Sequence, residues 1–340
     1  MSRAFNVALA GATGLVGESL VDLLEEREFP VGEFFVLASE EASAEPVYFN
    51  GQRARAFALE NFDFSQVDLA FFAVDSEVAR AHATRAADAG CVVIDTSVCF
   101  RFDERVPLVV PELNPLALAE FRERNIIASP ASASVALALA LAPLVSLAGL
   151  ERVNVSAYQP VSADGRAGVE ELARQTAELL NGREATVERF GKQIAFNTHA
   201  RIGDVADNGY TRDELALVLE TRRLLGDANL PVNATFVRVP TFYGEGLSVQ
   251  LETRDAVDAG TVRDALGRTA GVRVFDEAVA GGHATALTEA VGSDDIFISR
   301  IRGDISHPRG VSFWIVADNV RKGAALNGVQ IAELLIKDYL

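Results

Sequence analysis

A glycine-punctuated turn between a short apolar run and an amphipathic helix constrains this chain more than any other feature. The apolar residues from Phe5 to Leu9 predict a strand. Gly11-Ala12-Thr13-Gly14-Leu15-Val16-Gly17 then turns into a helix whose apolar residues Val16, Leu20, Leu23 and Leu24 recur at helical spacing. Each glycine has a physical reason in such a unit. Gly11 permits the tight turn, Gly14 lets backbone approach a pyrophosphate, and Gly17 lets helix and strand pack closely while free N–H groups face the anion. With Thr13, Leu15 and Val16, they form a candidate dinucleotide-binding turn.

The sequel turns that local signal into a fold. Strands are predicted at residues 34–37, 68–74, 92–95 and 126–128, alternating with helical stretches at 77–89 and 116–123. This alternation implies a doubly wound parallel sheet of the Rossmann type. After Ser132 the character changes. Longer β-rich runs at residues 152–159, 234–240, 247–253, 296–302 and 311–317, with helices at 169–180, 211–225 and 261–270, predict a second α+β domain on a mostly antiparallel sheet. A last helix over 320–340 is expected to pack back on the first domain. The expected domains are therefore 1–131 plus 318–340, and 132–317. A chain of 340 residues has room for both.

Composition removes several function classes. A net charge of −17 repels phosphate backbones and anionic lipid, which argues against nucleic acid or a membrane surface as partner. The two cysteines, Cys91 and Cys99, fit a reducing cytoplasm better than a disulfide scaffold. His82, His199, His283 and His307 have no ligand spacing, so no metal site is expected. Ser132 to Leu150 carries no charge and approaches membrane-spanning length, but its alanines and Pro143 predict a buried helix. Met1 to Val7 runs into the glycine turn with no small-residue cleavage site ahead of it, so no signal peptide is expected.

A series of blocks carries a family resemblance. These are Val92-Val93-Ile94-Asp95-Thr96-Ser97 through Phe100-Arg101, Val109-Val110-Pro111-Glu112-Leu113-Asn114, Arg238-Val239-Pro240, and Asp318-Asn319-Val320-Arg321-Lys322-Gly323-Ala324-Ala325-Leu326-Asn327. In order and spacing they resemble aspartate-β-semialdehyde dehydrogenases along essentially the whole chain. The resemblance implies a homodimer in which residues 1–131 with 318–340 bind a nicotinamide nucleotide and residues 132–317 supply substrate residues and the dimer interface. It also implies the reductive dephosphorylation of aspartyl phosphate, through a covalent thioester and a hydride from NADPH. That chemistry needs a thiolate nucleophile, a histidine acid/base and arginines for the anionic ends of the substrate.

Laid on this chain, the family's nucleophilic cysteine falls at Ser132 in Ser129-Pro130-Ala131-Ser132-Ala133-Ser134, and its histidine falls at Glu245 in the pair Gly244-Glu245. A helix lysine expected to assist with phosphate falls at Ala216. Other positions match. Arg101 and Arg238 correspond to the anion-binding arginines, Gln159 to the glutamine that orients the reacting group, and Asp213 to a shortened glutamate that meets the substrate amine. Asn319 falls at a cofactor-binding position. Where NADP-using members place an arginine and serine after the second strand, this chain runs Leu37-Ala38-Ser39 into Glu40 and Glu41. Those acids repel a 2′-phosphate and suit a ribose hydroxyl, which favours NAD over NADP. A site without cofactor is the remaining alternative. Ala73-Val74-Asp75 also adds bulk and charge where the family has a glycine-rich turn.

Several residues carry two readings. Ser132 is either a nucleophile or the N-cap of the following helix. Glu245 is a base toward Ser132, a solvated loop carboxylate, or a partner for Arg238. Cys99 is a substitute thiol or a buried space-filler. The chain thus resembles the catalytically altered Usg-type paralogues. The expectation is a homodimeric, cytoplasmic relative without the parent dehydrogenase activity, binding a small anionic metabolite or nucleotide. A weak or altered dehydrogenase, and an interaction partner of an active paralogue, are the alternatives.

Overall fold

The computed structural model describes residues 3–38 and 46–340. Its chain forms two compact units, Met1–Ala131 with Ala324–Leu340, and Ser132–Gly323.

In the first unit, strands β1 (Phe5–Ala10), β2 (Val31–Ala38), β3 (Arg55–Ala58), β4 (Leu69–Phe72), β5 (Val92–Asp95) and β6 (Ile126–Ala128) pair in the order β3-β2-β1-β4-β5-β6. Every pair is parallel. This is the doubly wound Rossmann-type sheet that the alternation predicts. Strands β4, β5 and β6 are buried at every position, as a sheet covered on both faces requires. Helices α1 (Leu15–Glu26) and α2 (Ser76–Asp88) follow β1 and β4. Strand order reverses about β1, so the glycine turn after β1 sits where open α/β sheets bind ligands.

The C-terminal helix spans Asn327–Asp338 and packs with α1 in the core of this unit, burying Val329, Ile331, Ala332 and Leu335. It starts later than the apolar pattern suggests, because a wide helical turn at Arg321–Leu326 precedes it. Residues 318–323 go with the second unit instead of the first. The Asp318 carboxylate accepts from the Gly292 N–H at 2.8 Å and the Asn319 side chain from the Gly244 N–H at 3.0 Å, both groups of that unit. The expected helix at 116–123 is a tighter 3₁₀ stretch opened by Pro115.

The second unit holds α3 (Ser132–Ala148), β7 (Leu150–Gln159), α4 (Gly165–Leu180), α5 (Arg212–Leu225), β8 (Val232–Arg238), β9 (Glu245–Thr253), α6 (Ala259–Leu266), β10 (Val272–Val274), β11 (Ile296–Gly303) and β12 (Gly310–Ala317). Its sheet runs β8-β7-β9-β12-β11-β10. The inner pairs are antiparallel and the two outer pairs, β7 with β8 and β10 with β11, are parallel. Three of the five pairs are thus antiparallel, as the run of strands predicts, and the parallel pairs at both edges make the sheet mixed. The three-residue β10 is too short to show a period in sequence. The charge-free segment is helix α3, buried through most of its length and packed against α5 and α6. No helix among the described residues is long and apolar enough to cross a membrane.

Candidate functional site

The first unit supplies a cradle for an anion. Gly11 has φ +86°, a conformation that favours glycine, and a Cβ there would meet the Ala73 carbonyl oxygen at 2.2 Å. A Cβ at Gly17 would meet the Gly11 carbonyl oxygen at 2.0 Å, so this glycine exists to let α1 pack on the turn. Gly14 differs. It is exposed, and a Cβ there would touch only the Gly11 oxygen, at 3.4 Å. It stands at the N-terminus of the 12-residue α1, with no side-chain cap on the first-turn N–H groups. An open glycine at an uncapped helix start fits a dinucleotide pyrophosphate. Thr13, Leu15 and Val16 are half-buried around it. Val74 packs its side chain toward Gly11 and Asp75 begins α2, which places the added bulk at the turn itself. Ser39, Glu40 and Glu41 lie outside the described residues. The described residues thus support a nicotinamide dinucleotide without distinguishing NAD from NADP.

The same unit holds Arg101, whose guanidinium donates to the Thr96 carbonyl at 2.6 Å. Asp95 is fully buried and accepts from the Ser97 N–H and hydroxyl at 3.2 and 2.7 Å. Burial pushes its carboxyl up, and Ser97 and Arg101 partly offset this. Cys99 is not an activated thiol. Desolvation raises it above the ordinary cysteine range despite the nearby Arg80, and a protonated thiol is a poor nucleophile. Cys91 is buried and raised further.

In the second unit the structure brings Ser132 and Glu245 together. Ser132 is the half-buried first residue of α3, and its hydroxyl faces Glu245. A Cβ added at Gly323 would stand 2.1 Å from the Ser132 Cβ, so the missing side chain at Gly323 leaves the room in which Ser132 sits. Glu245 opens β9 and is 1% exposed. It is neither the solvated loop carboxylate nor the Arg238 partner of the sequence reading. The reason is register: Glu245, Leu247, Val249 and Leu251 alternate onto the face that α3 covers, and the three apolar members are equally buried. That alternation is legible in the sequence and is the signal that locates the carboxyl.

Burial pushes Glu245 up to about 7, the Ser132 hydroxyl pulls it back and the charge of Asp318 raises it further. The contact with Ser132 is loose, since neither carboxylate oxygen has a partner of ordinary hydrogen-bond geometry. Asp318 itself accepts from the N–H groups of Gly292, Val320 and Arg321 at 2.8–2.9 Å. Asn319, expected at a cofactor position, has its amide engaged within the unit, accepting from Gly244 N–H and bonding the Ser162 hydroxyl at 3.1 Å. It fixes the start of β9 and so the position of Glu245.

Arg238 ends β8 in register with Gln159 at the end of β7. It is 4% exposed, donates to the Pro160 carbonyl at 2.6 Å, lies 5.7 Å over the Phe190 ring and forms an ion pair with Asp164. Burial lowers its affinity for the proton, and Asp164 and then Asp213 counter this. The sequence reading missed Asp164, the residue that occupies the guanidinium. Gln159 has a buried side-chain oxygen without a partner. Asp213 is exposed beside Ala216 on α5, whose start is closed by a capping box of Thr211 and Glu214. Among the described residues no group of His, Cys, Asp and Glu is arranged to hold a metal.

Against this geometry, the model of the semialdehyde dehydrogenase NAD binding domain matches residues 6–121, and that of the semialdehyde dehydrogenase dimerisation domain matches residues 141–322. The chain belongs to the aspartate-semialdehyde dehydrogenase family. Aspartate-semialdehyde dehydrogenase 2 of Vibrio cholerae is 50% identical over the full length of both chains. The USG-1 protein homolog of Pseudomonas aeruginosa is 43% identical, again over the full length of both. The crystal structure of the Vibrio cholerae aspartate semialdehyde dehydrogenase II complexed with ASA superposes with a TM-score of 0.97 at 49% identity, covering all of each chain. The family thus contains, at similar distance from this chain, proteins named as dehydrogenases and proteins named for USG-1.

Proposed function

We propose that this member of the family does not run the thioester reaction and keeps the fold as a dinucleotide-binding homodimer. The observation that carries the reading is the Ser132–Glu245 pair. A serine hydroxyl is far less acidic than a thiol, and at neutral pH it does not offer the anion that forms a thioester. Glu245, pushed up to about 7 by burial, stands where the family resemblance implies an imidazole, so both members of the thiol–imidazole pair that forms a thioester are replaced.

The glycine turn supports retained nucleotide binding, with Gly14 and the first turn of α1 holding the pyrophosphate. A bound nicotinamide ring would supply or accept hydride. The match to a dimerisation domain supports a homodimer. Its surface is the sheet face that α3, α5 and α6 leave uncovered, where Asn154, Ser156, Tyr158, Ser248 and Trp314 line up in register. Such a dimer in the cytoplasm fits the acidic, cysteine-poor composition. A small anionic metabolite is the ligand class for each arginine taken by itself, Arg101 in the first unit and Arg238 in the second, the latter once Asp164 releases it.

Purified protein with aspartate semialdehyde, inorganic phosphate and either NAD or NADP tests the reading. No reduced cofactor is expected to appear, and turnover at the rate of the Vibrio cholerae relative overturns it. Full-length identity to a named dehydrogenase favours a second reading, slow hydride transfer without a covalent intermediate. In that case a low rate persists unchanged in Ser132→Ala.

A further inference from the structure

Ser132 and Glu245 form an arrangement of their own. The hydroxyl is the more accessible member, at the first residue of a 17-residue helix. The carboxyl lies behind it, 1% exposed, with both oxygens free of ordinary hydrogen bonds among the described residues. A buried polar group normally finds partners, and one left open beside a hydroxyl is where a functional explanation is due. Gly323 keeps the backbone close to Ser132 and leaves the hydroxyl unobstructed by a further side chain, and the Asn319 side chain accepts from the Gly244 N–H at 3.0 Å, holding the backbone just before Glu245. The first-turn N–H groups of α3, after Ser132, have no acceptors within the helix and carry its positive end.

We propose that Ser132 and Glu245 are an acyl-transfer pair, in which the serine accepts the acyl group of an activated carboxylic acid, as an acyl phosphate or an ester, and water releases it. Ser132 Oγ attacks the carbonyl carbon while Glu245 takes the hydroxyl proton. The bond from the carbonyl carbon to the leaving oxygen breaks, and phosphate or alcohol departs with that proton. Water then attacks the acyl-serine, Glu245 takes its proton and returns it to Ser132 Oγ, and the free acid leaves. No electron changes hands. The N–H groups of the first turn of α3 stabilise the oxyanion of each tetrahedral intermediate. A base near 7 is matched to work at neutral pH, and the negative Asp318 beside Glu245 sharpens its proton affinity.

The inference rests on the reading that no thioester chemistry occurs here, and two assays separate their failures. The probes are p-nitrophenyl acetate and acetyl phosphate with wild-type protein, beside the dehydrogenase assay described above. The expected result is p-nitrophenol and phosphate release, an acetyl mass increment on the peptide that begins the α3 sequence after acid quench, and loss of that label in Ser132→Ala. Glu245→Gln should lower the rate by about 10²-fold or more, the usual contribution of a positioned base, and remove the rise of rate through pH 7. Hydrolysis unchanged in Ser132→Ala overturns the proposal, and so does absence of any acetyl label on Ser132 in the wild-type protein, a measurement that needs no variant to fold. Dehydrogenase turnover would instead overturn the functional reading beneath it.

Discussion

Asp164 pairs with the Arg238 guanidinium, and the arginine side chain is 5% exposed against 28% for the aspartate side chain. Asp164 thus already pairs with the guanidinium that the family resemblance assigns to an anionic end of the substrate, and the pair is internally neutral.

Removing the carboxylate should therefore do two things. Asp164→Ala leaves a buried guanidinium with the Pro160 carbonyl, the Phe190 ring and the charge of the exposed Asp213, and stability should fall by about 2–4 kcal/mol, somewhat below the usual cost of breaking a buried pair because Asp164 is partly exposed. Aspartate or phosphate should then raise the melting temperature of the variant saturably and leave that of the wild type unmoved. A wild-type protein stabilised by millimolar aspartate to the same extent would show that Asp164 does not block the site.

Glu245 predicts an unusual pH dependence of stability. Its folded carboxyl is pushed up to about 7 from an ordinary 4.5, so the folded state holds a proton that the unfolded chain has released. Below about 4.5 both states are protonated and Glu245 costs nothing in pH-dependent stability. As pH rises from there toward 7 stability is lost, by about 3 kcal/mol in all. Glu245→Gln cannot ionise. Urea denaturation at pH 5 and pH 8 should show the variant gaining on the wild type at the higher pH, and equal differences at both would refute the raised carboxyl.

Much of this was readable from the chain. The strand–glycine–helix opening and the βα alternation announce the parallel sheet, because period and turn chemistry are local. The mixed order of the second sheet was not readable, since β8 and β10 join it through parallel edge pairings that no local pattern encodes. Ser132 and Glu245 stand out as replacements in family blocks, but their contact needs α3 to cover β9. The alternation from Glu245 to Leu251 gave the burial of the carboxyl in principle. Asp164 left no signal, because its role exists only once the chain after β7 folds back over Arg238.

Gly323 and Ser132 should be coupled. A methyl group on Gly323 would also come within 2.7 Å of the Ser132 Cα, so Gly323→Ala must move the start of α3 or the turn that follows Asp318. A loss of about 1–3 kcal/mol is expected for such overpacking. Ser132→Gly removes the closest atom and should recover part of it, giving a double-mutant coupling of about 1 kcal/mol. Strict additivity in chemical denaturation would show that the two residues do not touch.

The glycine turn separates fold from ligand by one substitution each. Gly17→Ala places a methyl group against the Gly11 carbonyl and should unfold or strongly destabilise the first unit whether or not a nucleotide is added. Gly14→Ala meets nothing closer than 3.4 Å and should fold with a stability within about 1 kcal/mol of wild type, the ordinary cost range at an open site. It should nevertheless weaken dinucleotide binding at least severalfold, because the methyl group stands where the pyrophosphate approaches the backbone. Titration of NAD and of NADP against both proteins, read by thermal shift, checks this. Unchanged affinity in Gly14→Ala would mean that the turn serves helix packing alone, and that the nucleotide reading of this unit fails.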